Sequence, residues 1–151
     1  MNKKLTTFIL ILITILPACS SQVRGESPQV AINLLQLDGQ QLTVELRIRN
    51  LNDVPLNITS MPYSIDFDGQ ALLHGGQSVR LSIGPRGTEI SQERIAISAT
   101  DSQLFAQLES RQIPNLGYQL EGELHSETNQ RIKFDFSSRL FIVPGKPHEY
   151  R

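Results

Sequence analysis

The chain has 151 residues, 14 Lys and Arg against 15 Asp and Glu, a formal net charge of −1, a single cysteine and no tryptophan. That length suits one domain large enough to bury a core. Near-neutral charge without a basic block argues against nucleic acid as a partner, and a lone Cys19 rules out an intramolecular disulfide.

The first segment reads as an export signal. Lys3 and Lys4 give a basic start, and Leu5 to Leu16 is almost wholly apolar, the two leading regions of a secretory signal. As a helix this run spans about 18 Å, short of the hydrocarbon core of about 30 Å, so a permanent membrane span is the weaker reading. Leu16-Pro17-Ala18-Cys19-Ser20 resembles a lipobox. The resemblance implies cleavage between Ala18 and Cys19, with acyl chains (palmitate among them) on the Cys19 thiol and amine. Only a thiolate alkylates cleanly in that role, and two or more chains anchor durably at about 0.8 kcal/mol per buried CH₂. Ser20 resembles an outer-membrane sorting address in a Gram-negative envelope. Cleavage removes Lys3 and Lys4, leaving 133 residues with net charge −3 and no polybasic stretch for anionic lipid.

Residues 19–28 read as a short flexible tether, residues 29–144 as the domain, and residues 145–151 as a frayed tail. Period-2 alternation dominates the domain. Val30, Ile32 and Leu34 form one apolar face, and Asp38-Gly39 marks a hairpin. Leu42, Val44, Leu46 and Ile48 alternate with Thr43, Glu45, Arg47 and Arg49, a strand with one wet side. Asn50-Leu51-Asn52-Asp53-Val54-Pro55 breaks the pattern, since Asn and Asp favour turns and Pro55 has no N–H for a ladder.

Further strands follow at Leu56–Ile58, Tyr63–Phe67, Ala71–His74, Val79–Ile83 and Glu89–Ser98. Residues 101–112 are good helix formers with an apolar stripe at Leu104, Phe105 and Leu108, capped by Thr100 or Asp101. A groove between this helix and a sheet edge is the expected concavity for an apolar ligand. Two long strands then run through Leu116–His125 and Ile132–Phe136. The pattern predicts an all-β, antiparallel sandwich with one short helix.

With these elements in place, the chain resembles the late-embryogenesis-abundant group-two family, also called the water-stress-and-hypersensitive-response domain, in the form of a bacterial lipoprotein. The resemblance rests on the Leu42–Arg49 strand running into Asn50-Leu51-Asn52-Asp53-Val54-Pro55, on Met61 to Gly69, on the Leu104–Gln112 helix and on Ile113 to Gly122 and Phe134 to Pro144. The family carries Asn-Pro-Asn at its turn; here Leu51 replaces the proline, while Asn50, Asn52 and Pro55 keep the motif. The resemblance implies an immunoglobulin- or fibronectin-III-like sandwich and a non-enzymatic role in water-stress or desiccation tolerance, without cofactor.

Little else carries chemistry. His74, His125 and His148 stand apart, without metal-ligand spacing. Asp66 and Asp68 share a strand face and read as turn chemistry rather than a carboxylate pair. Arg47, Arg49 and Arg80 read as solvated cross-strand pairs. The expected partners are the bilayer, through Cys19, and envelope proteins or lipids. The alternatives are an accessory subunit of an envelope transport or secretion assembly, binding by strand addition, and a small hydrolase with an unrecognised site, which activity lost on mutating His125 or Asp66 would support.

Overall fold

The computed structural model describes residues 25–76 and 79–151. The export signal, the Ala18/Cys19 cleavage site and Ser20 lie outside the described residues. Two antiparallel sheets and one helix make up the described body, the all-β class that the alternation predicts. Among the described residues no helix is long and apolar enough to cross a membrane.

Strands β1 (Gln29–Asp38) and β2 (Gln41–Arg49) form a hairpin around Gly39, whose φ of +60° suits a residue without a side chain. They share a four-stranded sheet with β7 (Thr88–Ala96) and β10 (Glu149–Tyr150), in the order β10-β1-β2-β7. The second sheet is built on β8 (Leu116–Ser126). Strands β3 (Leu56–Ser60) and β4 (Tyr63–Phe67) pair with successive halves of one flank of β8, and β9 (Arg131–Leu140) pairs with the other. Strand β5 (Ala71–Gly75) borders β4, and β6 (Leu81–Ile83) borders β3.

The alternating apolar residues meet between the sheets. Leu42, Val44, Leu46 and Ile48 of β2 face Ile58, Ile65, Phe67, Leu120 and Leu124, all nearly fully buried. A one-residue slip of β2 would drive Glu45 and Arg47 into this core, so burial itself fixes the register. In β1 the alternation does not run straight through. A bulge between Ile32 and Leu34 shifts the phase, so Leu35 is fully buried where Leu34 was expected.

The helix α1 (Ala99–Glu109) begins and ends earlier than expected. Its cap is Ser98, not Thr100 or Asp101: Ser98 Oγ accepts from the Asp101 N–H, and the Asp101 carboxylate accepts from the Ser98 N–H. This is a reciprocal capping box with Asp in the position usually held by Glu. Leu104, Phe105 and Leu108 are buried. Phe105 packs edge-on to Phe67 at 5.5 Å and against Tyr150 at 5.1 Å between ring centroids.

That contact overturns the frayed tail. Residues 145–151 turn back at Gly145, and β10 joins the sheet beside β1, pairing Tyr150 with Leu35. The Leu37 N–H donates to the His148 carbonyl at 2.9 Å, and Phe141 and Arg151 exchange two backbone hydrogen bonds. Tyr150 is fully buried. Two strand residues were too few to show period-2 alternation, and the surrounding Pro, Gly, Lys and His gave the segment the composition of a loop.

Candidate functional site

At one end of the sandwich the turn after β2 organises three pieces of chain. Asn50 is fully buried. Its side-chain amide donates to the Val54 carbonyl at 2.7 Å and the Gly84 carbonyl at 3.1 Å, while its Oδ1 accepts from the Asn52 N–H at 3.0 Å. The last bond closes the turn without a proline at 51. A buried amide without partners costs about 1–3 kcal/mol, so these acceptors make the position specific for Asn.

The loop between β6 and β7 docks on this turn. The Asn50 N–H donates to the Gly87 carbonyl at 2.9 Å, and the Arg86 N–H to the Asn52 carbonyl at 3.0 Å. Arg86 also pairs with Asp53 at 2.8 Å. The Arg86 guanidinium, by hydrogen bond and charge, holds the Asp53 carboxyl below its usual range.

The chain's approach to β1 is fastened to the same turn. Asn52 Nδ2 donates to the Glu26 carbonyl at 2.8 Å, Pro28 is buried, and Gly25 lies so close to the Asn52 amide that a Cβ there would clash. The tether read as flexible over 19–28 is therefore held from Gly25 onward. Pro55 is exposed and serves to end the turn before β3.

A second polar cluster lies at the opposite end. Glu109, at the end of α1, accepts from the His148 N–H at 2.7 Å and from the Tyr150 hydroxyl at 3.0 Å. Burial, and then the Glu109 carboxylate, hold the Tyr150 phenol well above its ordinary value of 10.0. A comparable tie joins the sheets: Glu93 of β7 accepts from the Tyr63 hydroxyl at 3.1 Å and from the Gly76 N–H at 2.7 Å. Burial and the Glu93 charge push the Tyr63 phenol upward in the same way.

The third cluster lies on the outer face of the larger sheet. A bulge between Ile58 and Ser60 sets Ser60 opposite His125. Ser60 Oγ lies 2.9 Å from His125 Nδ1, and His125 Nε2 lies 3.2 Å from Glu123. With His125 neutral and protonated on Nε2, the Ser60 hydroxyl donates to the ring. Hydroxyl, imidazole and carboxylate thus stand in the order that nucleophilic hydrolysis uses. The Glu123/His125 spacing was visible in the sequence; Ser60 joins them only through cross-strand register.

The family model described as "Late embryogenesis abundant protein" matches residues 45–140. The chain belongs to that family. No curated protein matches the sequence significantly. Among solved structures, a solution structure from Arabidopsis thaliana is 10% identical over 82% of this chain and 86% of its own, with a TM-score of 0.51. A solution structure named among late embryogenesis abundant proteins is 12% identical over 89% of this chain and 75% of its own (TM-score 0.48). A crystal structure of a protein from Archaeoglobus fulgidus is 12% identical over 78% and 97%, respectively (TM-score 0.46). At such identities the first likeness speaks for the fold alone.

The late-embryogenesis-abundant match covers the Asn50 turn and the His125 row, while β1 and β10 lie outside it. The other sequence candidates are dispersed. Asp66 accepts from the Gly69 N–H and closes the β4–β5 turn, while Asp68 accepts from the Gly117 N–H and ties that turn to the start of β8. His74 is exposed on β5. Among the described residues no three His, Cys, Asp or Glu side chains converge as a metal site would require. The apolar stripe of α1 is largely filled by Tyr150 and Phe67. Beside it, a groove of about 660 Å³ remains between the end of α1 and residues 141–147, where Phe141 is half exposed.

Proposed function

We propose that this protein is a lipid-anchored envelope lipoprotein whose late-embryogenesis-abundant domain acts in stress protection through its surfaces. The family supports a stress-related, non-enzymatic β-domain. The anchor is supported by one observation above all: an export signal running directly into Leu16-Pro17-Ala18-Cys19-Ser20, with the sole cysteine at the cleavage position. The domain's geometry is compatible with it. Because the chain is fastened from Gly25 onward, residues 19–24 alone would separate lipid from domain, a reach of about 20 Å at about 3.3–3.6 Å per residue. The Asn50 end would then face the bilayer, and Ser20 would direct the protein to the periplasmic face of a Gram-negative outer membrane. A two-sheet body of this kind also supports kinship with immunoglobulin- or fibronectin-like modules, which work by contact.

Mass spectrometry of the membrane-extracted chain tests the anchor: the N-terminus is expected at Cys19 with acyl mass added, and Cys19→Ser is expected to leave unprocessed precursor. An unmodified N-terminus at another residue would overturn it. Deleting the gene is expected to lower survival after drying; unchanged survival would remove the protective role.

A second reading, accessory binding by strand addition, draws support from the outer edge of β9, which among the described residues pairs as a strand with β8 alone.

A further inference from the structure

We infer that the outer edge of β9 is a self-complementary docking strand, and that the partner it fits is a second copy of this chain. The inference deepens the strand-addition reading by naming the occupant, and it does not depend on the lipid anchor. Strand β9 is ten residues long, carries no proline or bulge, and is exposed along most of its length. The start of β1 runs alongside it across a slot of about 600 Å³ that Lys133 to Phe136 line from the β9 side. Unpaired strand edges of this length are templates for pairing.

The sequence of the edge selects the partner. Ile132, Phe134 and Phe136 share the inner face with Leu124, Gly122 and Leu120 of β8, while Lys133 and Asp135 stand on the outer face opposite Glu123 and Glu121. Phe136 is 41% exposed. Asp135 thus has a like charge on its β8 side, which is unfavourable, and neither Lys133 nor Asp135 has an ion-pair partner among the described residues.

An antiparallel β9–β9 pair keeps faces aligned only when facing residues share parity. Centring the two-fold axis on Phe134 places Lys133 opposite Asp135 twice, Ile132 opposite Phe136 twice, and Arg131 opposite Ser137. Centring it on Lys133, Asp135 or Phe136 sets like charges against each other, through Lys133–Lys133, Asp135–Asp135 or Lys133–Arg139 respectively. The Phe134 register alone satisfies both acids and both lysines and covers the exposed Phe136. The other long edge, β7, has no such register: Glu89 and Glu93 share one parity and Arg94 has the other, so no self-pairing sets acid against base.

The pairing is tested on the full chain, purified in mild detergent, by analytical ultracentrifugation at ~100 µM, where an interface of this small size is expected to hold. The wild type is expected to be dimeric. Lys133→Asp and Asp135→Lys each create two like-charge pairs and are expected to weaken the dimer ~10–100-fold, while the combined variant K133D/D135K regains wild-type association. Both positions are exposed, so unchanged thermal melting of all variants checks folding. In a Cys19→Ser background, a short bismaleimide is expected to link a mixture of Arg131→Cys and Ser137→Cys chains, and neither alone. A wild-type monomer, single variants that still dimerise, a swap that fails to restore, or capture of a different protein on β9 would each overturn the inference while leaving the anchor reading intact.

Discussion

The two ends of the sandwich fasten neighbouring chain by different chemistry. At the Asn50 end a neutral amide binds carbonyls, and the approach to β1 hangs from the next asparagine. At the Tyr150 end an aromatic ring fills the core and the Glu109 side chain gathers its hydroxyl and a backbone N–H. The first device rests on neutral hydrogen bonds, with one exposed ion pair, Arg86–Asp53, beside them. The second adds apolar burial and a proton equilibrium, so the two should differ in magnitude and in response to pH.

The largest expected effect is at the aromatic end. Tyr150→Ala removes a fully buried ring and is expected to cost ~3–5 kcal/mol, the range for core aromatics truncated to alanine. Urea unfolding measures it, and a loss below ~1 kcal/mol would return residues 145–151 to a frayed tail. Asn50→Ala comes next, at ~2–3 kcal/mol, because the Val54 and Gly84 carbonyls lose their donor inside the structure. Asn50→Asp should do no better, since a carboxylate supplies no N–H; an Asp variant as stable as wild type would sink this account of the turn.

Alkaline titration separates the two ends. The folded Tyr150 phenol is held above its ordinary value of 10.0. Its contribution is therefore complete below that pH and drains away as pH rises past it, where the unfolded chain releases the proton and the folded chain keeps it. Stability measured from pH ~8 to ~11 should fall less steeply in Tyr150→Phe than in wild type, and Asn50→Ala should leave the slope unchanged. Equal slopes in wild type and Tyr150→Phe would remove the phenol from the account.

Smaller effects sharpen the picture. Asn52→Ala is expected to cost ~0.5–1 kcal/mol, with faster hydrogen exchange confined to the start of β1; unchanged exchange would mean that Asn52 does not hold the tether. Ser60→Ala should cost less than ~1 kcal/mol, with no activity on activated esters to lose. An esterase activity abolished by both Ser60→Ala and His125→Ala would restore the hydrolase reading.

Much of this body was legible beforehand, and the omissions share a cause. Leu42 to Ile48 alternate so regularly that core, wet face and register follow from the residues alone. Asn50-Leu51-Asn52 announced a turn, because asparagine closes its own backbone, yet its reach to Gly84 and Glu26 depends on loops brought in from 34 and 26 residues away. Leu34 misled because a bulge in β1 shifts the phase, and a bulge is set by the partner strand. Ser60 and Tyr150 were missed for the same reason. Each gains its role from a neighbour distant in the chain, and no local period marks such a neighbour.

The late arrival of Tyr150 bears on how the molecule is made. A polypeptide is made from its amino end, so β1, β2 and Phe105 exist before the ring that seals the space between them. Until residue 150 is added, the flank of β1 and the apolar stripe of α1 stay wet. Chains cut short before that point would leave this greasy surface open to water and to proteases.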